Sequence, residues 1–173
     1  MPTALLDVWS DVATSFEATP PLVAATRLLV AIVLGGIIGF EREVNARSAG
    51  LRTHILISMG ACLFALLTFE IIEFSVTIEG DHTADPLRLI SSVTSGVAFL
   101  AAGSIIVTGG KVHGLTTGAG MWMAGAIGLA CGIGKVGLAL MACLLVVGTL
   151  TLLGRLKKRM PLVAENAEDM PER

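Results

Sequence analysis

Five nearly uninterrupted apolar runs constrain this chain more than any other feature. They are Leu22 to Phe40, Leu51 to the region of Glu70, Leu89 to Val107, Leu115 to Ile133 and Val136 to Leu153. Crossing the hydrocarbon core of a bilayer takes about 20 apolar residues as a helix. Polar punctuation closes the runs: Glu41-Arg42-Glu43 after the first, Glu70 and Glu73 at the second, Gly109-Gly110-Lys111 after the third, and Arg155 to Arg159 after the fifth. Inside lipid each run must be helical, because unpaired backbone groups find no water there. Composition agrees, since 54% of the 173 residues are hydrophobic, 15% are charged and the mean hydropathy is +0.81. A soluble domain carries about 25% charged residues. The expected fold is an all-α integral membrane bundle of five transmembrane helices, with antiparallel neighbours because the connections are short.

The chain divides into residues 1–19, 20–156 and 157–173. In the first part Leu5, Val8, Trp9, Val12 and Phe16 recur at helical spacing, which predicts a short amphipathic interfacial helix anchored by Trp9. Acidic residues interrupt it and no basic residue opens it, unlike a signal peptide. Pro20-Pro21 separates it from the transmembrane domain. The last part reads as a polar cytosolic tail with no folded domain after it. Of the twelve basic residues, nine (Arg42, Arg47, Arg52, Lys111, Arg155, Lys157, Lys158, Arg159 and Arg173) share one side if the N-terminus is outside. The positive-inside rule then predicts N-out/C-in topology.

Small residues form rows on three helices: Gly35 and Gly39; Gly96, Ala98 and Ala102; Gly120, Ala124 and Gly128. Such rows let helix backbones approach closely in lipid. They read as packing within the bundle, with a homo-oligomer as the other use.

The polar residues sort into two layers. The outer one holds Arg27, Glu70, Asp85 and Arg88. An arginine within the membrane is costly, so Arg27 is expected to pair with Asp85 first and Glu70 second. The inner one holds Glu41, Arg42, Glu43, Arg47, Arg52, Thr53, His54, Lys111, His113, Thr116 and Thr117. Its carboxylates are interleaved with arginines, which favours salt bridging over a hard-cation site. Thr116 and Thr117 are placed to cap the fourth helix. His54 and His113 read as lone loop histidines, so no metal site is assigned. Ser92 and its neighbouring hydroxyls on the third helix are expected to bond across helices or to their own carbonyls.

Several classes are disfavoured. A net charge of −2 gives no footprint for nucleic acid. Cys62, Cys131 and Cys143 stand singly in apolar runs, without metal or redox spacing. No phosphate-binding Gly-rich loop, zinc-protease motif or nucleophile elbow occurs, so the chain reads as a non-enzyme without a cofactor.

The stretch from Arg27 through GFERE at 39–43 and AGLRTH at 49–54 resembles the first signature of the MgtC/SapB family. DPLRLISSVTSGVAFLAAG at 85–103 is similar to the second, and HGLTTGAGMW at 113–122 to the third. The likeness covers residues 22–134, the transmembrane part only. Ser92 stands where the family often has Gln, and Ala98 and Ala101 stand where it often reads GFLGAG. The resemblance implies a bacterial inner-membrane protein tied to magnesium homeostasis, with virulence-linked relatives associated with restraint of the ATP synthase. By position it implies functional roles for Arg27, Glu41, Arg42, Glu43, Arg52, Asp85, Arg88, Thr116, Thr117 and Trp122, and Thr53 and Ser92 stand beside them as further polar candidates. The expected function is a non-enzymatic regulator or stress factor tied to magnesium homeostasis, embedded in the lipid bilayer and acting by helix contacts with a membrane partner, and the alternative is a small cation or solute transporter.

Overall fold

The computed structural model describes residues 16–79 and 86–159. Asp85, most of the interfacial segment and the end of the tail lie outside them. Five helices form at the five apolar runs: α1 (Pro21–Val44), α2 (Leu51–Glu79), α3 (Pro86–Gly103), α4 (Leu115–Gly132) and α5 (Val136–Arg159). Between α3 and α4 lie two short antiparallel strands, β1 (Ile106–Thr108) and β2 (Lys111–His113). By length and composition three of the helices, α1, α2 and α5, can cross a membrane. Large apolar side chains point outward all around, as with Leu22, Phe99 and Leu152. This surface requires lipid as its solvent, and the chain is a multi-pass membrane protein.

Local chemistry sets the boundaries. α1 begins on Pro21, whose fixed φ and missing N–H suit the first helical turn. α4 ends in a Schellman motif, with Gly134 left-handed at φ 79° and Lys135 N–H bonded to the Ala130 carbonyl at 2.8 Å. The third run stops earlier than its apolar character suggests. Its helix ends at Gly103, and Ile106 and Val107 enter β1 instead. Gly109 and Gly110 have φ 58° and 75°, the backbone of a two-residue hairpin turn whose twist matches paired strands. Among the described residues the fold is mostly helical, as expected, with one short β-hairpin that the apolar runs did not announce.

The glycine-rich α4 packs against all four other helices. A Cβ on Gly128 would stand 1.9 Å from the Ser58 carbonyl oxygen, and one on Gly132 2.6 Å from that of Cys62. Along the α1–α2 crossing, a Cβ on Gly35 would meet the His54 carbonyl at 2.7 Å and one on Gly39 the Leu51 Cα at 2.7 Å. Backbones therefore touch along both seams. Gly120 and Ala124 are buried on the same α4 face. On α3 the packed residues are Val97 and Ala101; Gly96, Ala98 and Ala102 are exposed, so the expected row is displaced by one position. The apolar core joins Leu34 and Ile38 of α1, Cys62 of α2, Ile127 and Cys131 of α4, and Cys143 of α5. All three cysteines are buried there as free thiols.

Candidate functional site

One polar cluster lies where the C-terminal end of α1, the 45–50 loop and the N-terminal ends of α2 and α4 meet. Arg42 sits on the same α1 stripe as Ala31, Gly35 and Ile38 and is 3% exposed. Burial of that stripe carries its guanidinium inward. Nη2 donates to Thr117 Oγ1 at 2.6 Å, and Ser48 Oγ approaches the same oxygen at 3.5 Å. Thr117 is therefore a partner of α1, not a helix cap. Gly114 occupies the N-cap of α4 without a side-chain bond, and Thr116 points outward.

The carboxylates of GFERE serve the connection to α2. Glu43 Oε2 accepts from Leu51 N–H at 2.9 Å, satisfying an orphan donor at the helix start. Gly50 makes room, since a Cβ there would fall 1.7 Å from that oxygen. Glu41 Oε1 accepts from Asn45 Nδ2 at 2.8 Å.

His54 is not a loop residue. It lies in the first turns of α2, fully buried, with Nδ1 at 2.9 Å from the Gly50 carbonyl. A carbonyl only accepts, so Nδ1 carries the proton, and in the neutral ring Nε2 is left as an acceptor. His54 Nε2, Glu41 Oε2 and Arg42 Nε are buried without a hydrogen-bond partner among the described residues. Glu41 and Arg42 lie within electrostatic reach of His54. A bare divalent cation here would face the charge of Arg42. Among the described residues no three His, Cys, Asp or Glu side chains are grouped to hold a metal.

Arg52 and Thr53 line a shallow hollow of about 530 Å³ beside Glu43 and Gly50, and Arg52 is exposed. Arg88, Ser92 and Trp122 are also exposed and stand away from the cluster; Ser92 Oγ donates to the Arg88 carbonyl at 2.9 Å. At the other end of the bundle Arg27 Nη1 donates to the Gly132 carbonyl at 2.9 Å. It thus satisfies an orphan carbonyl at the negative end of α4. The expected first partner, Asp85, lies outside the described residues. Glu70 holds a different group: its two oxygens accept from the N–H groups of Glu17, Ala18 and Thr19, each at 3.0 Å.

The cluster unites Arg42 and Thr117 with Glu41, and adds His54 and Ser48, which had no assigned role. A helical stripe was the available signal. His54, Ser58, Cys62 and Ala65 follow one buried face of α2, which puts the histidine inside rather than in a loop.

Comparison with known families decides the relationship. The family model described as "MgtC family" matches residues 28–159, which include the whole cluster. The chain belongs to the MgtC family. It is 41% identical over 109 residues to the Escherichia coli K12 protein named "Putative magnesium transporter YhiD", covering 62% of this chain and 50% of that one. It is 39% identical over 129 residues to "Protein MgtC" of Brucella abortus (strain 2308), covering 75% and 50%. An uncharacterized Haemophilus influenzae protein is 33% identical over 132 residues, covering 76% and 56%. The chain thus spans about half the length of the relatives it matches. No solved structure matches it.

Proposed function

We propose that this MgtC-family protein is a non-enzymatic regulator of the bacterial inner membrane, linked to magnesium homeostasis and acting on a membrane-protein partner such as the ATP synthase. Membership of the MgtC family supports the magnesium link, together with a relative whose name carries it. One structural observation carries the choice of regulator. The two polar ends of the bundle, at Arg27 and at Arg42, are separated by packed apolar side chains: Ala31, Ile38, Ala124 and Ile127 are each at most 1% exposed. A permeating ion needs a succession of polar ligands, and among the described residues the buried polar side chain along that line is Ser58, whose hydroxyl is committed to the Ala31 carbonyl at 2.8 Å. The buried Arg42–Thr117 link then ties α1 to α4 at one end, beneath exposed residues such as Arg47 and Arg52 that a partner would meet. In this reading the topology is N-out/C-in with that end inside, which the positive charges of Arg47, Arg52, Lys111 and Arg155 at that end support.

The alternative, a transporter for a small cation, draws on the name of the Escherichia coli relative. The test is growth of a deletion strain in low magnesium, complemented with variants at matched membrane abundance. Arg42→Gln and Thr117→Val are expected to lose complementation while Arg47→Ala retains it. Equal growth of all three would remove the cluster from the function.

A further inference from the structure

We propose that the β1–β2 hairpin is a membrane-interface anchor, inserted at the boundary between lipid headgroups and acyl chains with Val107 and Val112 against the chains. The first argument is length. α3 and α4 have 18 residues each, about 27 Å at the helical rise. α1 and α5 have 24 each, about 36 Å. A hydrocarbon core is about 30 Å thick. α3 and α4 fall short of the three spanning helices that α4 packs against, so, with the two short helices set across the layer beside them, their connection is held at the depth of the interface rather than standing clear in water.

The second argument is composition by face. The register pairs Val107 with Val112, flanked by Ile106 with His113 and Thr108 with Lys111. In a strand alternate side chains face opposite ways. Val107 and Val112 therefore share one face, while Thr108, Lys111 and His113 lie on the other with Ile106. The valines are 68% and 52% exposed, so the protein itself does not cover them. The opposite face offers an amine and an imidazole at the level of anionic headgroups. Two valines on one side, and a lysine and a histidine beside Ile106 on the other, fit a segment that lies in the interface, where both apolar and basic groups find partners.

The third argument is the backbone. A loop entering a poorly hydrated layer must pair its own polar groups. Here β pairing across the tight Gly109-Gly110 turn does so, where an irregular loop would not. Anchoring has a consequence for α4. His113 lies four residues before Thr117, so the anchor fixes the depth at which Thr117 meets Arg42.

The test is site-directed bimane fluorescence on Val107→Cys, Val112→Cys and Lys111→Cys in vesicles of phosphatidylcholine and phosphatidylglycerol. Cys62, Cys131 and Cys143 are buried, and the unsubstituted protein supplies the labelling background. Fluorophores at 107 and 112 are expected to lose most of their emission to phosphatidylcholine spin-labelled near the headgroup and little to aqueous iodide, with the order reversed at 111. If iodide quenches all three equally, the hairpin stands in water and the proposal is wrong. If 107 and 112 are shielded from both quenchers, protein covers them, a second copy or another part of the chain, and the lipid assignment is equally overturned.

Discussion

Arg42 shows how a single charge is tolerated in an apolar bundle. Its guanidinium is buried, and the bond to Thr117 Oγ1 is one of the contacts that compensate it. Replacing Thr117 with Val keeps the shape of the side chain and removes the acceptor. Leaving a buried donor unpaired costs about 1–3 kcal/mol, so Thr117→Val is expected to lower unfolding stability in micelles by that amount. Thr116→Val, on the exposed side of the same turn, should stay within about 0.5 kcal/mol. Equal effects from the two would mean that Thr117 does not hold Arg42. Arg42 and Thr117 stood out in the sequence by their place in family-like signatures. That they touch was not legible there, because they are 75 residues apart in the chain. His54 was misread for another reason: adjacency to Arg52 and Thr53 suggested a polar loop, whereas the α2 stripe turns only this residue inward.

At the scale of elements, glycines with similar surroundings in sequence do opposite things. Gly128 lies at the α2–α4 seam, where a Cβ would stand 1.9 Å from the Ser58 carbonyl oxygen. Gly148 in α5 has nothing within 4 Å of such an atom. Gly128→Ala must force the seam apart, and overpacking of this kind costs about 1–3 kcal/mol. Gly148→Ala should be neutral or stabilising by up to about 1 kcal/mol, through helix propensity alone. Thermal unfolding of the two variants in the same detergent checks the contrast, and a Gly128→Ala protein as stable as the parent would contradict the seam. All five helices were legible as apolar runs, because length and hydropathy are properties of a segment. The hairpin was not, since Ile105 to Val107 continues the third run without a break in polarity. Its signal was the Gly109-Gly110 pair between β-branched residues.

For the whole molecule, polar chemistry collects at two ends and the middle is packed mainly with apolar side chains around Ser58. At one end Arg27 caps α4 and Glu70 receives three backbone N–H groups; at the other Arg42, Thr117, Glu41 and His54 gather. Between them Ile38, Ile127, Cys62 and Cys131 fill the core. The layering of the charges was readable from the sequence, but whether a path joined them depended on side-chain packing. The regulatory role proposed above draws on this packed core. The most direct test is magnesium flux, followed with an entrapped indicator in liposomes containing the purified protein. The account predicts entry no faster than in protein-free liposomes, for the parent and for Arg42→Gln alike. Magnesium entry that requires the protein and is lost in Arg42→Gln would contradict it and establish a transporter.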